Sequence, residues 1–247
     1  MIYSYKQDSV EELLRDHIEE MLKVLNTLTT SKALKFVEKF EIPKADFINS
    51  LKIAVIFHDI GKIFYQENWK EQSLSFIGHE RISALFLKMF MKNLDDEEPI
   101  IRLKDAIIFA VLYHHHAMGY RLPAFKEIST LKLNSLFEEF YEDISHLMRK
   151  YKMDFYINPL HEMILEIKKN FLSSMENIHS LIRYAENLPF EKDIWETYLE
   201  DGIKRTLMLL SLSILISLDY ESAGKTRRGN KAPFHRVTKE FIRHYLQ

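Results

Sequence analysis

The sequence predicts an all-α fold in a single domain, and three observations predict it. Apolar residues recur at helical spacing along almost the whole chain. Only 6 Gly and 6 Pro occur in 247 residues, too few turn formers for a sandwich, a barrel or a Gly-rich phosphate loop. No strand pair or repeat stands out and the linkers are short, so residues 1–247 read as one domain. The composition, 47% hydrophobic and 28% charged, is that of an ordinary globular chain.

The elements follow in order. Ser9-Val10-Glu11-Glu12 has the form of a capping box, and Val10, Leu13, Leu14, Ile18, Met21, Leu22 and Leu25 then mark a first helix. Pro43 opens a second through Phe47, Leu51 and Val55, which runs into Phe57-His58-Asp59 and stops near Gly61. A third is expected over 79–94, ending in the acidic run 95–98. Pro99 opens a fourth that ends around 116–119, and a fifth covers 136–151. One long helix is expected after Pro159, through Leu160, Ile164, Ile167, Phe171, Met175, Ile178 and Ile182. An apolar helix from about residue 203 leads to Asp219, and a short amphipathic helix covers 237–246. Phe36, Phe40, Phe47, Phe137, Phe140 and Tyr141 recur at helical spacing and are assigned to the core.

Composition excludes several chemistries. With no Cys there is no disulfide scaffold, thiol nucleophile, zinc finger or iron–sulfur cluster, so any metal must be held by His, Asp or Glu. The N-terminus has no apolar h-region, which predicts a cytoplasmic protein. The apolar stretch 207–218 falls short of the roughly 20 residues that span a bilayer and reads as a buried helix, so no membrane partner is expected. Net charge is −2, but residues 224–247 carry seven Lys or Arg against Glu240 alone. Such a basic segment is either a solvated tail or a contact for a polyanion.

Eleven His fall largely into groups near predicted helix ends: His17, His58-Asp59, His79 and His114-His115-His116. Each taken alone would be an ordinary hydrogen-bonded His, and His146, His179, His235 and His244 are read that way. His58-Asp59 follows the apolar run 54–57, His114-His115 follows Ala110-Val111-Leu112, and Asp219 follows Ile214-Leu215-Ile216. A carboxylate beside an apolar face is costly unless a cation neutralises it. Three apolar helices that each end in metal-type ligands are hard to explain by packing. Imidazole and carboxylate without thiolate suit manganese, iron, nickel, cobalt or zinc, with magnesium where oxygen ligands suffice. A carboxylate between two imidazole sets could bridge two ions, an arrangement that activates water and clamps a phosphoryl group.

His17, then His58-Asp59 in His-Asp-Ile-Gly-Lys, then a distant Asp219, resembles the HD phosphohydrolase superfamily. Further matches narrow the resemblance. His79-Glu80-Arg81-Ile82-Ser83-Ala84 looks like the His-Glu-x-x-Ser-Ala segment, His114-His115 like the double His, and Asp219-Tyr220-Glu221-Ser222-Ala223 like the Asp-x-x-Ser-Ala segment. Together they resemble the HD nuclease of the type I CRISPR-associated helicase–nuclease, in its stand-alone form. That resemblance implies two divalent metal ions, one held by His17, His58, Asp59 and Asp219, the other by Asp59, His79, His114 and His115. Asp59 bridges them. It also implies that Lys62 faces the scissile phosphate and Ser222 another phosphate oxygen. The implied substrate is single-stranded DNA, or RNA. The implied partners are a separate helicase subunit and the crRNA-guided surveillance complex. The triple His leaves His115-His116 as an alternative ligand pair, with the family pattern favouring the earlier one.

Arg227 and Arg228, close after Asp219, are expected to guide the strand by backbone charge or to dock the helicase. Ala223-Gly224-Lys225-Thr226 is no P-loop, because position 219 is Asp where the motif needs Gly. His161-Glu162 has no His at 165 and is no zincin motif. Two other readings stay open: a phosphohydrolase of small nucleotides, which needs only the four-residue set, and a helical interaction module without catalysis.

Overall fold

A computed structural model describes residues 1–27, 31–68, 74–96, 98–115, 128–226 and 233–246. It is 78% helical with one small two-stranded sheet, so the all-α class holds.

The chain begins with an antiparallel hairpin, β1 (Tyr3–Gln7) and β2 (Val10–Leu13), joined at Asp8-Ser9, with Asp8 at φ 54°. Lys6 pairs with Glu11 across it at 2.9 Å. The capping-box expectation at Ser9–Glu12 is therefore corrected: those residues turn and pair with the Tyr-rich segment, and helix α1 (Leu14–Leu25) starts four residues after Val10, with no side-chain cap. α1 keeps the expected amphipathic face, with Leu14, Ile18, Met21, Leu22 and Leu25 buried.

Helix α2 (Lys32–Val37), capped by Ser31, was not anticipated. α3 (Lys44–Phe57) follows Pro43 as expected and passes through a short 3-10 segment over 60–68. α4 (His79–Met91) stops three residues early, and α5 (Lys104–Tyr113) follows a 3-10 turn opened by Pro99. α6 (Thr130–Lys150) begins at the Ser129 cap, ahead of the expected residue 136.

The single long helix expected after Pro159 is two: α7 (Ile157–Asn170) and α8 (Met175–Asn187). Ser174 accepts from Asn177 N at 3.2 Å and starts the second, an N-cap that the unbroken apolar spacing conceals. A further unanticipated helix, α9 (Glu191–Glu200), precedes α10 (Gly202–Thr226). α11 (Pro233–Phe241) and a last turn, Ile242–Leu246, complete the chain and pack on α10 and α2. The described part of the basic C-terminal segment is thus folded helix and not solvated tail.

Burial explains which helices matter for the site. Residues 51–57 of α3, 79–87 of α4 and 106–112 of α5 are buried without interruption, the signature of helices surrounded on all sides. Phe47, Phe57, Phe86, Phe90, Phe137 and Phe140 fill the space around them, Phe57 and Phe90 meeting at 4.9 Å. α10 is apolar and long enough by composition to cross a membrane, yet it packs lengthwise on α5 and also meets α1, α9 and α11. It serves here as a core helix, longer than the apolar run suggested. Asp219 consequently sits within α10 and not at its end, as the sequence reading had it. Phe36, assigned to the core, is 38% exposed, because α2 turns that edge outward.

Candidate metal centre

Polar side chains enter this interior mainly at the ends of the buried helices. His58 caps the C-terminus of α3, His114 caps that of α5, and His79 is the first residue of α4. The same local device aims all three. Each Nδ1 lies against the carbonyl three residues earlier: Val55 O for His58 at 2.7 Å, Val111 O for His114 at 2.7 Å, and Phe76 O for His79 at 2.5 Å. A carbonyl only accepts, so Nδ1 carries the proton and Nε2 presents its lone pair inward.

Glycine brings two of these segments together. A Cβ at Gly61 would stand 2.2 Å from the His79 carbonyl oxygen, so only Gly lets the turn after Asp59 lie on the start of α4. The Gly61 N–H donates to Ser83 Oγ at 2.9 Å, fixing that contact. Gly78, at φ 81°, lets the chain turn into α4.

The Nε2 atoms converge on Asp59, which is 1% exposed. Its two oxygens divide them. Oδ1 lies 2.8 Å from His79 Nε2 and 3.8 Å from His114 Nε2. Oδ2 lies 3.3 Å from His58 Nε2 and 3.9 Å from His17 Nε2. His17 Nε2 is 3.1 Å from Asp219 Oδ1. Asp59, His79, His114 and His115 form one group whose ligand atoms all lie within 4.8 Å of one another, and His17, His58 and Asp59 form a second.

Unsatisfied hydrogen-bonding groups in the interior show that these residues suit a metal. Among the described residues ten buried side-chain N or O atoms have no hydrogen bond. Five of them are Nε2 of His17, His58, His79 and His114 and Oδ1 of Asp59. A buried polar atom left unsatisfied costs about 1–3 kcal/mol. Five on one point are explained if cations take their lone pairs, and the donor set, imidazole with carboxylate, suits divalent first-row metals.

The two carboxylates agree with that assignment. Burial would raise Asp59, but His58 and Lys62 hold it well below the usual carboxylate range, and Asp219 is held there against burial by His17. Both carboxylates are ionised at neutral pH. Burial opposes the His17 imidazolium, yet Asp219 and Glu12 raise it to about 9. Burial depresses His58, and burial with the neighbouring His114 depresses His115 well below the ordinary imidazole value.

The structure brings His17, His58, Asp59, His79, His114, His115 and Asp219 to one place. His115, half-buried, stands at its edge. His116, Arg227 and Arg228 lie outside the described residues.

Lys62 and Ser222 are placed differently from what the resemblance implied. Lys62 Nζ, buried, donates to Asp59 Oδ2 at 2.6 Å and to Ser4 O at 3.0 Å. In that position it neutralises and orients the carboxylate. Ser222 is fully buried behind His17, with Oγ 3.1 Å from Nδ1 and donating to the His17 carbonyl at 3.3 Å. It holds a ligand ring where a phosphate contact was expected.

The sequence reading missed Glu12. Its Oε1 lies 3.3 Å from His17 Nδ1, and its Oε2 accepts from Ser4 Oγ at 2.8 Å. The neighbouring strand β1 is held in turn by Gln66, which bonds both Tyr3 N and Tyr3 O at 3.0 Å. Carboxylate partners of this kind orient a ligand imidazole and raise its basicity. The available signal was Tyr3-Ser4-Tyr5 followed by Asp8-Ser9, a strand and turn pattern.

No curated protein and no solved structure matches the chain. The HD domain family model matches residues 14–153, a span that contains every ligand candidate named above except Asp219. HD domains are typically metal-dependent phosphohydrolases, and the His/Asp cluster is consistent with that chemistry. With more than half of its length matched, the chain belongs to the HD domain family.

Proposed function

We propose that this protein is a metal-dependent nuclease that hydrolyses phosphodiester bonds in single-stranded DNA, with RNA as a second substrate, in CRISPR interference. The observation that carries this reading is the division of Asp59, one oxygen toward His79 and His114 and the other toward His58 and His17. A minimal HD site needs one metal; His79, His114 and His115 supply ligands for another. The segments His79-Glu80-Arg81-Ile82-Ser83-Ala84 and Asp219-Tyr220-Glu221-Ser222-Ala223 add the resemblance to the stand-alone HD nuclease. That resemblance motivates the expected partners, a helicase subunit and a surveillance complex.

Two divalent cations bound here would supply Lewis-acid stabilisation of the charge that develops on a phosphodiester and would lower the pKa of water. The protein's own part is positioning. Asp59 stays ionised with Lys62 fixing its orientation, the imidazoles of His58, His79 and His114 are held in one tautomer by main-chain carbonyls, and the walls of α3, α4 and α5 exclude bulk solvent, which strengthens every charge interaction inside. Arg227 and Arg228 are assigned to the strand's backbone charge.

Purified protein incubated with labelled single-stranded DNA, and separately with a panel of nucleotides, tests the reading. Each is run with manganese, nickel or magnesium and with chelator, beside Asp59→Ala. Degradation of the strand, lost in chelator and in the variant, is expected. Hydrolysis of nucleotides with an intact strand would assign the chain to the small-nucleotide branch.

A further inference from the structure

We propose that the groove between α2 and the C-terminal helix is a second, non-catalytic subsite that binds bases and phosphates of a single strand away from the metal centre. The choice of ligand rests on the nuclease reading; the groove itself stands on independent observations. It measures about 420 Å³, and three aromatic rings, Phe36, Phe241 and Tyr245, line it together with Lys32, Lys35 and Lys39.

The residue pattern builds this surface deliberately. Lys32, Lys35, Phe36 and Lys39 stand at i, i+3, i+4 and i+7, one face of α2 and its 3-10 extension. Phe241 and Tyr245 stand four apart on the opposing wall, their rings 5.4 Å apart and tilted by 32°. Phe36 is 38% exposed and Tyr245 54% exposed. Lys39 Nζ lies 5.9 Å from the Phe36 ring centroid. No carboxylate lines the groove, and among the described residues none pairs with its three lysines. Aromatic faces with cations beside them and no opposing charge are what a single strand needs: rings to stack on and ammonium groups for its phosphates.

Two other surfaces lack that combination. Trp195 and Leu199 on α9 are exposed but lie among Asp193, Glu196 and Glu200, which repel phosphate. The cleft on the other face of the C-terminal helix has Lys225, Lys239 and Arg243, but Glu20, Glu221 and Glu240 are interleaved, and Lys225 already pairs with Glu20 at 3.2 Å.

α10 joins the groove to the metal centre. Leu210 lines the groove and Asp219 lies nine residues further along the same helix, roughly 13 Å at 1.5 Å per residue. At about 3.4 Å or more per nucleotide, a strand of ten nucleotides is long enough to reach both.

The test uses the full chain, Phe36→Ala/Tyr245→Ala, and Lys35→Glu/Lys39→Glu. Affinity for a labelled 20-residue oligothymidylate is read by fluorescence anisotropy in chelator at two salt concentrations. Hydrolysis of the same strand and of bis(p-nitrophenyl) phosphate, too small to span both sites, is read with manganese. Each double variant is expected to bind the 20-mer at least about tenfold more weakly, and the lysine variant also to lose salt dependence. Hydrolysis of the small diester should be unchanged in both. The exposed lysines leave folding intact even if the aromatic variant destabilises the C-terminal helix.

Equal affinity in wild type and lysine variant, or no binding by wild type, would overturn the groove. Cleavage with no groove effect leaves the nuclease reading standing while the subsite falls. Binding lost in both variants, with a strand that wild type never cleaves, supports the subsite and removes the nuclease reading.

Discussion

The two halves of the metal centre share Asp59 but are built by different means. In the half containing His79, His114 and His115, the rings of His79 and His114 are aimed by main-chain carbonyls of their own segments, and Asp59 is the one carboxylate. In the half containing His17 and His58, a second carboxylate, Asp219, arrives from α10, and His17 is aimed by side chains, Glu12 from the hairpin and Ser222 from α10. The first half is drawn from residues 59–115 and is rich in imidazole. The second draws on residues 12–222, adds side-chain orientation of His17, and carries more negative charge. Softer imidazole sets favour first-row transition metals, and an added carboxylate improves the fit for harder ions such as manganese or magnesium. The comparison thus predicts two sites of unequal metal preference.

The most disruptive way to probe it is Asp59→Asn. If two cations bind as proposed and one carboxylate serves both halves, metal content measured on the purified protein falls from two equivalents toward none. Hydrolysis should fall by at least the ~10²–10³-fold that follows loss of a single preorganised electrostatic group. Retention of one full equivalent would show that the halves are independent. His79→Ala, in contrast, should remove one equivalent and spare the other.

Gly61→Ala should act on one half. The new Cβ would overlap the His79 carbonyl, 2.2 Å away and part of the backbone, so the start of α4 must shift. Overpacking of this kind costs about 1–3 kcal/mol, measurable as a lowered Tm. The half containing His79 should lose metal affinity by about 10–100-fold, the range for disturbed ligand orientation. Equal weakening of both halves would mean that Gly61 matters to the whole core and not to the pairing of two segments.

The same contrast explains what could be seen in the sequence. His58, His79 and His114 were legible because each sits at the end of an apolar run, and a helix terminus is a local property. Their convergence on Asp59 was not legible from spacing; it came from the resemblance. For Ser222 and Lys62 the motifs indicated the neighbourhood but not their partners His17 and Asp59, since a motif places a residue near a site without saying which way its side chain turns. Glu12 was hidden by a competing pattern: Ser9-x-x-Glu12 reads equally as a capping box, and only the pairing of Val10–Leu13 with Tyr3–Gln7 decides for the strand. The break at 171–174 was hidden because apolar spacing carried across it unchanged. Phe36 shows the opposite failure, periodicity that marks a face without saying whether anything covers it.

The finest test of the comparison lies in protons. Without metal, His17 is raised to about 9 by Asp219 and Glu12 against its burial, above the ordinary imidazole value of about 6.5. Its contribution to stability is therefore complete below about pH 6.5 and fades as pH rises toward 9. A cation that takes its Nε2 near pH 7 must displace that proton. His115, depressed well below its ordinary value, has none to give. Filling the His17 half should therefore release about one proton near pH 7 and markedly less near pH 9, read by titration calorimetry in two buffers of different ionisation enthalpy. Glu12→Gln removes one of the two carboxylates that hold the proton. The release near pH 7 should then shrink, and affinity at that half alone should weaken by about 10–100-fold. Identical proton release in the two proteins would mean that Asp219 by itself sets the charge of His17, leaving the hairpin to position the ring and not to tune it.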